Sequence, residues 1–158
     1  KQAKPLGYFD AVKYNVMAVG EAGSPESTKA MGKDYPVGIW GNSYDAFYWG
    51  ESAAHREYTQ RLAKYLKDEY PSSWAIQGYT GMQFLAEAIK KAGSTDSDKV
   101  SKALLGLTID TPFGKQTIRE KDHQANRGQL YGKTVMDPKY PFAIMKPVEY
   151  VDPTKFMD

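Results

Sequence analysis

The chain contains no cysteine. That one absence excludes a disulfide framework, a thiolate metal site and a cysteine nucleophile. It leaves the redox compartment open, since proteins of oxidising and reducing compartments alike do without cysteine. Histidine is nearly as scarce: two scattered residues supply too few ligands for a zinc site once thiolates are excluded. No D-x-D-x-D-G calcium loop, G-x-S-x-G nucleophile elbow or G-x-G-x-x-G phosphate cradle is present, and Gly20-Glu21-Ala22-Gly23 has two glycines at the wrong spacing for the last. No apolar run reaches 18 residues, the length read as a membrane-spanning helix. Charge of one sign is also missing. The 21 basic residues are interspersed with 19 acidic ones, so the net charge of +2 forms no block that calls for a nucleic-acid partner. These absences predict no cofactor, no metal and no nucleic acid.

What is present is ordinary in bulk and unusual in one respect. A hydrophobic fraction of 41% with 25% charged residues matches a soluble globular domain, and 158 residues is one domain's worth of chain. Aromatics reach 13%, including 12 tyrosines, whose apolar body and polar tip suit half-buried surfaces and ligand clefts equally. The chain starts at Lys1 without an initiator Met or an apolar signal segment, which reads as a processed product or a piece of something longer.

Periodicity predicts an α/β chain. Lys1 to Lys4 read as a frayed helix end, broken by Pro5-Leu6-Gly7. Tyr14 to Val19 reads as a short, largely buried strand, and Ser24-Pro25 as the N-cap and first position of a short helix. Val37 to Trp40 reads as a second buried strand, with Gly41-Asn42-Ser43 as the turn after it. Ala53 to Tyr70 is an amphipathic helix with Ala54, Tyr58, Leu62, Tyr65 and Leu66 on its apolar stripe, stopped by Pro71. Ala75 to Ala92 follows, with Ile76, Tyr79, Met82, Leu85, Ala86 and Ile89 on a wide apolar face. Lys90 and Lys91 favour the dipole in its last turn and Gly93 caps it. Asp96 to Leu105 is a third helix. Strands are then expected at Thr108 to Asp110, Thr117 to Arg119, Gln129 to Val135 and Phe142 to Val151, a strand-rich tail that adds to existing sheets.

Few residues suggest chemistry. His55 beside Arg56 reads as a solvated helical histidine, and Asp122-His123-Gln124 as a turn, because adjacent residues do not set up the orienting hydrogen bond of a catalytic base. Two features point to binding. Gly20 and Glu21 stand in a turn directly after a strand, where open α/β sheets line their ligand crevice; the alternative is a solvent-facing turn. Trp40, Tyr44, Phe47, Tyr48 and Trp49 lie within ten residues, as an apolar platform for a pocket or an anchor for another part of the protein.

An ordered series of residues then carries a resemblance. It comprises Gly32 with Pro36-Val37-Gly38, Tyr44, Tyr58 with Leu62 to Pro71, and Gly78-Tyr79 opening a helix that ends Ala88-Ile89-Lys90-Lys91-Ala92-Gly93-Ser94. Val100 with Ala103-Leu104, Thr111-Pro112-Phe113-Gly114, Ile118-Arg119, Asp122-His123-Gln124 and Gly132-Lys133 complete it. The series resembles the C-terminal half of a type I periplasmic solute-binding protein, of the branched-chain amino-acid receptor-like family that feeds ABC importers.

The resemblance implies part of a two-lobed fold of Rossmann-like α/β sandwich lobes. Residues 1–41 would belong to lobe 2, residues 42–129 to the C-terminal part of lobe 1, and residues 130–158 would return to lobe 2. It implies capture of an amino acid, amide or aromatic acid between the lobes without chemistry, with Glu21 placed to hold a ligand ammonium group. The implied partners are that small molecule, a membrane permease, and either the missing N-terminal half or a second copy. The implied location is the periplasm, or the extracytoplasmic face as a lipid-anchored protein in a Gram-positive host. A ligand-sensing regulatory domain of the same fold is the second reading, and a small α/β enzyme the third.

Overall fold

A computed structural model describes residues 2–17 and 22–157. Four strands form one sheet in the order β1-β2-β5-β6: β1 (Val16–Met17), β2 (Trp40–Ser43), β5 (Gln129–Met136) and β6 (Ala143–Val151). β1 runs parallel to β2, while β2–β5 and β5–β6 are antiparallel. Helix α1 (Tyr8–Ala11) precedes the sheet, and α2 (Pro25–Met31) packs beside β6. A second body holds α3 (Ala53–Leu66), α4 (Ala75–Ala92), α5 (Ser97–Leu104) and the hairpin β3 (Thr108–Thr111)–β4 (Gly114–Thr117).

The chain leaves the sheet after Ser43 and re-enters it at Gln129, and the two passages lie side by side, with Gly41 opposite Gly132 and Ser43 opposite Leu130. Ala46, Leu130 and Met145 form a fully buried cluster at this junction, with Tyr48, Trp49, Phe113, Val148 and Tyr150 packed around it. The antiparallel register thus gathers residues from both bodies into one apolar contact.

Local signals account for the helix ends. Ser24 accepts the Ser27 N–H with Pro25 at the first position of α2, as expected. Asp96 caps α5 through the Lys99 N–H at 3.1 Å. α4 occupies the expected span and stops at Gly93, whose φ of 59° is the left-handed value that glycine adopts without a Cβ clash. α3 ends at Leu66, four residues earlier than expected, because Lys67 itself turns left-handed (φ 52°).

The strands differ more. β1 is two residues long and exposed (Val16 60%, Met17 43%), against the largely buried strand expected from Tyr14 to Val19. It is an edge strand with β2 on one side, so hydrophobic content did not translate into burial. The Ala18-Val19 end of that strand lies outside the described residues. The second strand is Trp40–Ser43 and not Val37–Trp40, so Gly41-Asn42-Ser43, expected as a turn, is strand. Gly38 at φ 83° breaks the earlier stretch, and the Gly41 backbone runs so close to Ala22 and Gly23 that a Cβ would press on them at 3.0 Å. The expected strand Thr117 to Arg119 becomes β4, Gly114–Thr117, folded back on β3, with Ile118 left as an isolated bridge to Ala125.

The helix faces also need correction. α4 buries Ile76, Thr80, Phe84 and Ala88, spaced by four, whereas Met82 is 64% and Leu85 39% exposed. On α3, His55 and Tyr58 are buried, and Tyr65, at the centre of the expected stripe, is 84% exposed.

Candidate functional site

The junction between the two bodies concentrates polar groups that the sequence does not advertise. Ser52 caps α3 by accepting the His55 N–H at 3.0 Å, and its hydroxyl donates to the Pro112 carbonyl at 3.1 Å, which ties the helix start to the hairpin turn. In the first turn of α3, His55 faces inward while Ala53, Ala54 and Arg56 are exposed. His55 is fully buried, with Nε2 at 2.7 Å from Asp45 Oδ1, and Trp49 and Phe113 meet its ring edge-on. The expectation of a solvated His55 is thereby overturned: the cap that fixes the helix start also turns its third residue towards the interior.

Asp45 is itself buried, and its Oδ1 also accepts the Ala46 N–H at 2.6 Å. Arg127 approaches from the returning chain, donating to the Tyr44 carbonyl and to Gln77 Oε1, with its guanidinium 5.1 Å from the Phe113 ring centre. Burial lowers the Arg127 pKa from its ordinary value, and the negative charge of Asp45 opposes that shift. Burial likewise pushes the hydroxyls of Tyr48 and Tyr58 well above the usual tyrosine value. Arg127 Nε, His55 Nδ1 and the Tyr58 hydroxyl are buried without a hydrogen-bond partner.

The five clustered aromatics separate. Trp40 stacks on Tyr131 across β2 and β5, with ring centres 5.7 Å apart. Tyr44 packs against Trp74 at 4.8 Å, and Phe47 sits among Tyr48, Tyr70, Tyr140 and Phe142. Trp49 stacks on Phe113 at 4.9 Å. Trp40, Tyr44 and Phe47 are thus not brought round one cavity: Tyr44 lines a cavity of about 450 Å³ with Arg127, Gln116 and Phe84, and the other two lie elsewhere. Gly20 and Glu21 lie outside the described residues. His123 is exposed at φ 59° in a turn closed by the Gln124 N–H on Asp122 Oδ1, as expected. Among the described residues no group of three or more His, Asp or Glu is placed to hold a metal.

The second polar focus lies where α2 meets the segment between α3 and α4. Glu26 accepts the Ser72 hydroxyl at 2.5 Å, the Ser73 N–H at 2.8 Å and the Ser73 hydroxyl at 2.7 Å. Burial alone would raise its pKa; the hydrogen bonds from Ser72 and Ser73 outweigh it and leave Glu26 below the ordinary carboxylate value. One turn on, Lys29 reaches Asp68 at 2.6 Å and the Tyr70 carbonyl at 2.9 Å. Asp45, Glu26 and Arg127 escaped sequence reasoning because their partners are 10 to 83 residues away along the chain, beyond any helix or strand period.

Comparison with known proteins agrees with this architecture. The family model described as periplasmic binding protein matches residues 1–132, and the chain belongs to that family. An ABC-type branched-chain amino acid transporter protein of Rhodopseudomonas palustris CGA009 superposes with a TM-score of 0.73 at 23% identity, over 94% of this chain and 40% of that one. A solute binding protein of an ABC transporter from R. palustris BisB5, solved with 3,4-dihydroxybenzoic acid, superposes with a TM-score of 0.67 at 19% identity, over 98% of this chain and 51% of that one. The fold is therefore part of the two-lobed type I periplasmic-binding fold, of which the chain spans about half or less in these structures. Limonene hydroxylase of Geobacillus stearothermophilus is 31% identical over 112 residues, 70% of this chain and 20% of that protein.

Proposed function

We propose that the protein is the extracytoplasmic solute-binding component of an ABC importer, capturing a small polar or aromatic molecule between two lobes and handing it to a membrane permease. The observation that carries this reading is the family match over residues 1–132, which names a binding protein and not an enzyme. The lobe division at residues 41/42 and 129/130 gains support from the strand register. Both boundaries fall where β2 and β5 lie side by side, as two chain crossings at one hinge would. Hinge closure over a ligand is a recurrent motion of such clamps. In this reading Glu21, beside Gly20, accepts donors from the ligand, where a charge-assisted hydrogen bond to an ammonium group is the strongest contact available. Of Trp40, Tyr44 and Phe47, Tyr44 supplies aromatic surface to the cavity beside Arg127, and the other two support the sheet and the junction around it. An amino acid, an amide or an aromatic acid are the candidate ligands, the first and last in line with the branched-chain amino acid and 3,4-dihydroxybenzoic acid of the two superposed proteins.

The test is a thermal-shift panel on the complete protein with amino acids, amides and hydroxybenzoates. A ligand at a hundred times its Kd stabilises the folded state by about 2.7 kcal/mol, a shift of several degrees. Silence across all three chemical classes overturns the reading.

A further inference from the structure

The contacts between α2 and the segment from Asp68 to Ser73 have a role that packing alone does not require. α2 rides on the four-stranded sheet beside β6, whereas Asp68, Tyr70, Ser72 and Ser73 belong to the stretch that joins α3 to α4 in the other body. Neither side is held to the other by chain continuity, because about 40 residues or more separate the partners. Yet one carboxylate and one ammonium on the same helix face, three positions apart, make five hydrogen bonds across the gap.

The geometry points to a latch: Glu26, backed by Lys29, holds the two lobes together and sets how tightly the clamp retains its ligand. This rests on the proposed clamp and deepens it, by assigning the closing contact of that same site. The two components are unequal. Lys29 and Asp68 have side chains about one-third exposed, and such a pair is screened by water and salt. Glu26 is half-buried, and its carboxylate is saturated by three donors from two adjacent residues, one of them a backbone N–H. Glu26 therefore dominates. The donors are small and local: Ser72 also accepts the Trp74 N–H at 3.1 Å, so the donor pair is shaped at the entrance to α4 by contacts that do not involve α2. Opening the lobes exchanges these bonds for water. A ligand that needs the closed arrangement then binds with an apparent affinity reduced by the fraction of closed molecules.

Three measurements on the complete protein test the latch. The first is the radius of gyration of the ligand-free protein by small-angle scattering, in wild type, Glu26→Gln and Ser73→Ala. The expected result is expansion in both variants with the helix content by circular dichroism retained; unchanged dimensions overturn the latch. The second is the Kd for whichever compound the thermal panel identifies, expected to weaken about tenfold in each variant, with the double variant no worse than the stronger single one because both remove the same contact. Additive losses, or no loss, overturn it. The third is Lys29→Ala, expected to shift Kd less than threefold at 0.15 M salt. A larger effect would move the latch from Glu26 to Lys29 and defeat the assignment. If no compound binds the wild type, the clamp reading fails through the second measurement, while the scattering comparison still reports on the contact itself.

Discussion

Asp45 and His55 bind the two bodies at the level of single atoms. Oδ1 of Asp45 holds both the imidazole and the Ala46 N–H, so its position is fixed before any ligand or partner arrives. A buried hydrogen bond to a charged group contributes about 1.5–3 kcal/mol, and its removal leaves the enclosed carboxylate with only the Ala46 N–H. His55→Ala is therefore expected to lower the unfolding free energy of the complete protein by about 3 kcal/mol, read by urea denaturation. A loss below about 0.5 kcal/mol, the range of an ordinary surface substitution, would contradict the buried pair. The sequence does contain Asp45 and His55 ten positions apart, but that spacing matches no helix or strand period. The helix start at Ala53 was legible in the sequence and placed His55 in the first turn of α3. That this turn faces the Trp49–Phe113 stack follows only from the hydrogen bond of Ser52 to Pro112, 60 residues on.

Among the elements, α2 is short, seven residues, and far below the length at which an isolated helix is stable in water. Its position comes from the cap at Ser24, the close approach of Gly23 to Met145, and the Glu26 contacts. The pH dependence follows from the Glu26 carboxylate. Its folded-state pKa lies below the ordinary carboxylate value of 4.5, so its contribution is fully present above about pH 4.5 and is lost as pH falls through the folded-state value. Urea melts from pH 7 down to pH 3 are expected to show a loss of stability below pH 4.5 that Glu26→Gln removes, the variant being weaker than wild type at pH 7 and closer to it at pH 3. A parallel pair of curves would show that the carboxylate makes no differential contact. The helices α4 and α5 were legible almost to the residue, because Gly93 and Asp96 punctuate them with backbone chemistry that acts locally. β2 was placed three residues too early, since a short apolar stretch has no internal marker of which of its peptide groups will find a neighbouring strand.

The whole molecule presents apolar surface that an isolated 158-residue body does not normally leave open. Tyr65, Leu66, Met82, Leu85 and Trp74 are exposed on α3 and around α4, and a cavity of about 660 Å³ lies between the two helices, lined by Tyr58, Leu62, Tyr65 and Tyr79. Val16 and Met17 add an exposed edge strand. Such patches mark interaction surfaces in soluble proteins. Residues 1–158 expressed alone are therefore expected to associate with themselves or with the rest of the fold supplied in trans. Multi-angle light scattering checks this; a persistent monomer of 17.7 kDa with a sharp melt would count against it.

The amino-acid order by itself determined the α/β class, the three main helices, the Gly93 cap of α4, and the family. Each of these rests on interactions between residues a few positions apart, or on an ordered pattern that survives without coordinates. Only the tertiary structure decided that His55 is buried and that Trp40, Tyr44 and Phe47 go to separate aromatic groups. The same holds for Glu26 bridging to Ser72 and Ser73, and for Tyr65 and Leu66 at the end of the α3 stripe facing solvent. Burial is a property of what lies opposite a residue, and for these side chains the opposing surface comes from distant parts of the chain, which no local period encodes.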